Sequence, residues 1–350
     1  MPLLIATDEA GYGPRLGPLV IVATAWQLPP QATPESVHER LSAAVPVAPY
    51  GALRIDDSKR LFVRKTTRQQ ALRRPSTLDL LTDAAANWAV MPLPSADYRQ
   101  WLAQLAPDDQ AALGRQPWFG ALVAPPNPGR PSPSIDIRSN TDAHAAARDA
   151  VAAQQTLIDH WSADGVQLVG IAARVIDAAT FNSLLDVFPN KAELLTHLTC
   201  TLALKLWQQQ AAAAERGWIF SDRHGGRAYY GGLLQHHCPD LNIRVLQESP
   251  QRSCYHLSSA GADASSPSCD LQWAFTVSGD SFAPVALSSI IAKATREQLM
   301  ERFNAYFQSE AAQPLRPTAG YAVDAERFLQ DVQEIRARRS LSDAILIRRR

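Results

Sequence analysis

The fold turns on the stretch Leu3-Leu4-Ile5-Ala6-Thr7-Asp8-Glu9-Ala10-Gly11-Tyr12-Gly13-Pro14-Arg15-Leu16-Gly17-Pro18-Leu19-Val20-Ile21-Val22-Ala23-Thr24-Ala25-Trp26. Residues 3–7 form a short apolar run rich in β-formers, which predicts a buried strand. Residues 11–18 hold three glycines and two prolines, a turn signal. Residues 19–26 are apolar again, so the stretch reads as an antiparallel hairpin with a wide, glycine-rich connection. Asp8 and Glu9 close the first strand. Neighbouring strand residues point to opposite faces, so both acids enter one cleft only where the backbone turns, and the glycines that follow allow that turn.

Further along, residues 166–176, 218–221, 241–246 and 271–277 read as strands. Residues 142–161, 192–210, 285–307 and 325–338 read as helices, with Leu194, Leu195, Leu198, Leu202 and Leu206 at helical spacing. Residues 58–73 are basic, polar and expected to be helical. Strands first and then helix–strand alternation predicts an α/β chain with a mixed five-stranded sheet flanked by helices. Residues 1–75 and 135–310 are assigned to this domain. Residues 76–134 are expected to be an insertion, with helices near 78–88 and 96–105 followed by Pro-rich text, and residues 311–350 a helical C-terminal extension.

Asp222 follows the apolar residues Trp218-Ile219-Phe220-Ser221, and Asp280 follows the last predicted strand just ahead of a long helix. In open α/β sheets, strand ends are where sites form. Singly, each acid reads equally well as a turn residue or helix N-cap, and an N-cap is the expected role of Asp177.

Composition bounds the possibilities. The chain has 350 residues, 46% of them hydrophobic, which excludes wholesale disorder. Its formal net charge is +0, so any nucleic-acid surface must be a local patch. Basic clusters at Arg64-Lys65, Arg73-Arg74, 336–339 and 348–350 read first as solvated faces. The four cysteines form no C-x-x-C pair, and no basic, apolar leader opens the sequence, so reduced thiols and a cytoplasmic location are expected. No apolar run approaches about 18 residues, so no membrane helix is expected. His224 and His236-His237 lack partners at metal-ligand spacing and are expected at the surface or at helix ends.

Several motifs occur in a fixed order: Asp8-Glu9-Ala10-Gly11-Tyr12-Gly13-Pro14 with Gly17-Pro18; Asp56-Asp57-Ser58-Lys59-Arg60-Leu61; Gly170-Ile171-Ala172 to Asp177 with Phe181-Asn182; Phe188-Pro189-Asn190; Asp280 with Val285-Ala286-Leu287-Ser288-Ser289-Ile290-Ile291-Ala292-Lys293-Ala294-Thr295-Arg296-Glu297; and Gly320-Tyr321. In this order they resemble the type 2 ribonuclease H family (ribonucleases HII and HIII) over nearly the whole chain apart from the insertion. The resemblance implies a ribonuclease H-like fold. It implies that Asp8, Glu9, Asp222 and Asp280 are catalytic and hold two Mg²⁺ or Mn²⁺ ions. It implies hydrolysis of the RNA strand of an RNA–DNA hybrid, or of DNA containing ribonucleotides, to 5′-phosphate and 3′-hydroxyl products. Gly11, Tyr12, Gly13, Arg15, Lys59, Ser289, Lys293 and Tyr321 are implied at the substrate. The chemistry agrees: hard oxygen donors suit these ions, and two ions can activate water and stabilise a leaving oxygen. A monomer is expected.

The sequence departs from the pattern in places. Ribonucleases HII carry Arg between the two glycines of the opening loop where this chain has Tyr12, which puts junction cleavage in doubt more than hybrid cleavage; Arg15 is a substitute cation. Tyr321 is the expected stacking partner for a sugar. Lys59, Lys293 and Arg296 are expected to meet phosphates, and Arg223 and Arg227 around Gly225-Gly226 suit a phosphodiester. The alternatives are a nuclease of the same fold with another nucleic-acid substrate, or a catalytically silent nucleic-acid-binding module.

Overall fold

A computed structural model describes residues 1–61, 75–123, 141–210, 216–259 and 270–349. The basic residues Arg64, Lys65, Arg73 and Arg74, most of the predicted 58–73 helix, the Pro-rich run, Cys269 and Arg350 lie outside the described residues.

The opening hairpin forms as expected. Strands β1 (Leu3–Ala10) and β2 (Leu19–Gln27) pair antiparallel, from Leu3 opposite Gln27 to Ala10 opposite Val20. Val45–Val47 (β3) and Gly51–Leu53 (β4) make a separate small ribbon. The main sheet continues with β5 (Gln167–Ile176), β6 (Gly217–Asp222), β7 (Leu241–Glu248), β8 (Arg252–Ser259) and β9 (Asp270–Thr276). Their order is β5-β2-β1-β6-β9-β8-β7, with β1, β6 and β9 mutually parallel and β2, β5 and β8 joined antiparallel. This is the expected class, an α/β chain with a mixed sheet flanked by helices.

The sheet has seven strands where five were expected. In this sheet the strand not read from the sequence is β8, which joins the expected 241–246 strand, β7, to β9. β8 escapes a hydrophobic reading because Arg252, Ser253, His256, Ser258 and Ser259 dilute its buried Cys254, Tyr255 and Leu257. In this hairpin Val245 faces Tyr255 and Gln247 faces Cys254, so Leu246 is an extra residue without a partner.

Alternation along β1 and β2 divides the core. Leu4, Ala6, Val20 and Val22 face one side and pack with Leu287, Ile290 and Ile291 of the helix Ala283–Glu310. Leu3, Ile5, Leu19 and Ile21 face the other and pack with Leu194, Leu195 and Leu198 of the helix Lys191–Gln210. Both faces are covered, which is why these strands are apolar throughout instead of alternating.

The described part of residues 76–134 packs into the first of these cores. Its helices Thr77–Trp88 and Tyr98–Leu105 bury Leu80, Leu81, Trp101 and Leu102 there. Trp118 meets Phe303 at 5.2 Å and Phe307 at 6.0 Å between ring centroids, so the Trp118-Phe119 pair is covered. The single helix expected over 325–338 is two, Ala322–Asp331 and Gln333–Arg338, broken at buried Val332. Cys200, Cys238 and Cys254 are buried free thiols. Among the described residues, no helix is long and apolar enough to cross a membrane.

Candidate active site

The carboxyl ends of β1, β6 and β9 lie side by side, and each delivers acids to the same rim. Thr7 pairs with Ser221 across β1 and β6, which sets Asp8 beside Asp222. Beneath them Thr7 Oγ1 donates to Ser221 Oγ at 2.7 Å, and Trp273 Nε1 donates to the same oxygen at 3.1 Å. Three strands are thereby tied together directly under the acids.

Asp280 arrives through a short 3-10 turn, Gly279–Ser281, after β9. Gly279 is needed there, because a Cβ would lie 2.9 Å from Asp222 Cα. Its N–H donates to Asp222 Oδ1 at 2.7 Å, so one glycine seats both acids.

These groups repel one another, and among the described residues few cations stand beside them. Asp8 is buried, and its carboxyl is pushed up to about 8 by burial and by Asp222. The lowering influences are small: its Oδ1 accepts from Glu9 N at 2.7 Å, and Ser289 hydrogen-bonds the side chain. Glu9 is raised well above the usual carboxylate range by burial, then by Asp8 and Asp222. Asp280 is raised by burial and by the neighbouring Asp57. Among the described residues, Lys59 is a cation beside the cluster. Its Nζ lies 3.7 Å from Asp280 Oδ2, and Asp280 raises its pKa, with smaller contributions from Asp57, Asp8 and Asp222.

All four acids named from the sequence therefore come together. Asp57 is a fifth that was not singled out. It hydrogen-bonds Asp280, and its Oδ1 accepts from Lys59 N at 2.8 Å, capping the short helix Ser58–Leu61. Two features marked it in the sequence: it precedes Ser58-Lys59, and it has the N-cap position of a helix.

The other expected residues divide into those at the site and those committed elsewhere. Ser289 is at the site: its Oγ lies 3.1 Å from Ser58 Oγ and it touches Asp8. Lys293 Nζ donates to Ser58 O at 3.4 Å, and burial lowers its pKa. Tyr12 lies beside Glu9, which with burial raises the phenol pKa. Gly11 has φ +87° and Gly13 is open on its outer side, where a Cβ would meet nothing within 4 Å. Tyr321 is 57% exposed, next to Gly320, whose carbonyl accepts from Arg15 N at 2.8 Å and Leu16 N at 3.2 Å. Arg15 pairs with Glu326 at 3.1 Å, so its guanidinium is held toward the helix Ala322–Asp331.

Four expectations are corrected. Arg296 is buried and bonds backbone carbonyls, so it is no surface contact for phosphate. Arg223 donates to Ser249 O and Pro250 O, tying the 222–227 loop to the β7–β8 turn. Arg227 pairs with Glu193 at 3.5 Å. His224 is fully buried, with Nδ1 3.0 Å from Thr196 Oγ1 and its pKa pushed down to about 3 by burial, so it is a core residue and not a surface one. Asp177 is the N-cap expected of it, accepting from Ala179 N at 2.8 Å and Thr180 N at 3.2 Å.

Among the described residues, no three acidic, histidine or cysteine side chains stand as a closed group able to hold a metal ion. Asp222 is turned to Gly279 N, and Asp280 to Asp57 and Lys59. The donor chemistry nevertheless fits a hard cation: carboxylates only, partly buried, with Asp8, Glu9 and Asp280 raised in pKa by burial and by neighbouring acids.

No protein-family model matches the chain, and no curated protein matches it. Solved structures similar to it are type 2 ribonucleases H. The PCNA:ribonuclease HII complex from Archaeoglobus fulgidus is 12% identical, with 99% of this chain and 94% of that chain covered and a TM-score of 0.38. A ribonuclease HIII (Bst) in complex with Mn²⁺ is 14% identical, with 99% and 66% covered and a TM-score of 0.36. Ribonuclease H2 from Pyrococcus horikoshii is 13% identical, with 98% and 92% covered and a TM-score of 0.35. At such values the likeness carries nothing about substrate or chemistry, and the weight falls on the carboxylates gathered at the ends of β1, β6 and β9.

Proposed function

We propose that this chain is a metal-dependent endoribonuclease of ribonuclease H type 2 character that hydrolyses the RNA strand of RNA–DNA hybrids. The observation that carries the reading is the convergence of Asp8, Glu9, Asp222 and Asp280 at the ends of three parallel strands, with Asp8 pushed up to about 8 and Lys59 as the near cation. Such a cluster costs stability unless positive charge arrives. A polyanionic substrate would worsen the repulsion, so the acids imply a cation bound with it.

Asp8, Glu9, Asp222 and Asp280 would hold Mg²⁺ or Mn²⁺. When bound, two such ions activate water and stabilise the departing 3′ oxygen. The chain's own residues orient the rest. Ser289 hydrogen-bonds Asp8 and keeps one of its oxygens directed. Lys59, 80% exposed at its side chain, offers its ammonium to a phosphate beside Asp280. The Gly11–Gly13 turn presents backbone to the sugar, and the exposed Tyr321 ring is available to stack on it. A monomer working alone is part of this reading.

A second reading, a nucleic-acid binder without catalysis, is favoured by one observation: among the described residues the acids do not stand as a closed metal-holding group. An end-labelled RNA–DNA hybrid and a DNA duplex with one ribonucleotide, incubated with Mg²⁺, Mn²⁺ or EDTA, separate the two. Metal-dependent cutting of the hybrid, lost in Asp8→Asn, supports the nuclease. Hybrid binding without cutting under any metal sinks it and supports the binder.

A further inference from the structure

Two guanidinium groups grip the opening glycine loop from beneath. Arg296, 8% exposed, donates through Nε to Pro18 O at 3.2 Å and through Nη2 to Leu16 O at 3.3 Å and Ala319 O at 3.0 Å. Arg348, 2% exposed, donates through Nη2 to Gly11 O and Pro14 O. Five carbonyls are thus bound by two side chains, four of them in residues 11–18. Gly11 touches both arginines, for a Cβ on it would lie 2.5 Å from Arg296 Nε.

Arg348 is itself fixed. Its backbone N–H donates to Arg15 O at 2.9 Å, and Ile347 bridges to Leu16. Asn182 Nδ2 donates to Ala344 O at 2.9 Å and Ile347 O at 2.8 Å, and Asn182 Oδ1 accepts from Arg349 N at 2.8 Å. The Arg348 guanidinium lies over the Phe181 ring, 5.0 Å from its centroid.

Two consequences follow from this geometry. First, the carbonyls of the loop are directed inward, while among the described residues the N–H groups of Gly11, Tyr12 and Gly13 have no hydrogen-bond partner and are left for something outside. Second, neither guanidinium has a carboxylate within ion-pair distance among the described residues, and Nε and Nη1 of Arg348 are buried without a partner. Two buried positive charges without a counter-ion raise the potential at the loop surface, where a sugar–phosphate backbone would lie.

We propose that Arg348, acting with Arg296, is a positioning residue for substrate recognition: it sets the 11–18 loop so that its amides meet the ribose strand of a hybrid. This rests on the nuclease reading for its substrate, but not for the loop conformation. The test uses the full chain with Arg348→Met and Arg348→Lys. Hydrogen exchange is followed at the Arg15 and Leu16 amides. Binding of a labelled RNA–DNA hybrid and of a DNA duplex of the same sequence is followed by anisotropy in EDTA.

In Arg348→Met, exchange at Arg15 and Leu16 should rise by about tenfold, and hybrid affinity should fall by about tenfold, the scale of a lost charged hydrogen bond. Affinity for the DNA duplex should fall by less than about threefold, because generic charge attraction is largely retained through Lys59. Arg348→Lys should recover part of the hybrid affinity. Unchanged exchange overturns the proposal, as does an equal loss for both duplexes, which would make Arg348 a generic cation. If Arg348→Met does not fold, Arg348→Lys decides on the same two readings, with a smaller loss confined to the hybrid expected. A wild-type protein that binds the hybrid but never cuts it defeats the nuclease reading and leaves this inference standing.

Discussion

Among the described residues, two groups of buried carboxylates are built in opposite ways. Asp109 is 2% exposed, and Arg174 donates to it through Nε and Nη2 while Val175 N donates at 2.7 Å. Asp177 likewise receives two backbone N–H groups, the Thr180 hydroxyl and Gln116 Nε2 at 2.8 Å. Asp8 is also buried, yet it receives one backbone N–H and one serine, and Asp222 and Asp280 act on it as like charges. Burial alone therefore marks nothing. A carboxylate that the fold supplies with donors holds the structure together, whereas Asp8, short of donors and beside other acids, is a group that a cation would stabilise.

The sharpest way to break this contrast is to neutralise one acid in each region. Asp8→Asn should reduce metal-dependent hybrid cleavage by about 10³-fold, the scale of losing one electrostatic stabiliser, with the melting temperature unchanged or raised. Cleavage within tenfold of wild type would remove Asp8 from the site. Asp109→Asn should do the reverse. It should lower stability by about 3 kcal/mol in a denaturant titration, since Arg174 loses its partner, while activity per folded molecule stays the same.

Asp57 tests the boundary between the two kinds. It caps a helix through Lys59 N, but it also presses on Asp280. Asp57→Asn should cut cleavage by about 10–100-fold, as for residues that orient a metal ligand. An effect on stability alone would move it to the structural class.

Titration gives a weaker test. Asp8 has its folded-state pKa raised from 3.8 to about 8, and Glu9 and Asp280 shift the same way. The folded protein then holds protons that the unfolded chain has released, so stability without metal should fall as pH rises through that window. The melting temperature in EDTA should decline between about pH 4 and pH 8, and less so in Asp8→Asn. Mg²⁺ or Mn²⁺ should flatten the decline. A metal-free melting temperature that rises across this range would mean the acids are not in conflict. The smallest effect belongs to Lys59→Met, which should reduce the salt slope of hybrid binding by about 1.

The sequence was readable where position along a strand decides the outcome. Asp8, Glu9, Asp222 and Asp280 each close or follow an apolar run, and the parallel pairing of β1, β6 and β9 brings those ends together. It was unreadable where direction matters. Nothing in the spacing of the Ala283–Glu310 helix tells that Arg296 turns inward to carbonyls while Lys293 reaches Ser58. Nor does Ser221-Asp222-Arg223 reveal that Arg223 fastens a distant turn. Long cationic side chains choose among faces according to tertiary partners that local sequence does not encode. β8 was missed for a related reason: its burial is lent by β9 and not announced by its own residues.

The unmatched Leu246 in β7 has a meaning beyond local geometry. β7 ends the sheet, and most of it is exposed, so a flat run of free backbone groups there would invite another chain to add itself. The extra residue throws the strand's edge out of register with any straight newcomer, and Arg244 and Glu248 set charges along it. Among the described residues, this open side of the sheet is broken by irregularity, which makes it a poor template for a straight strand to join.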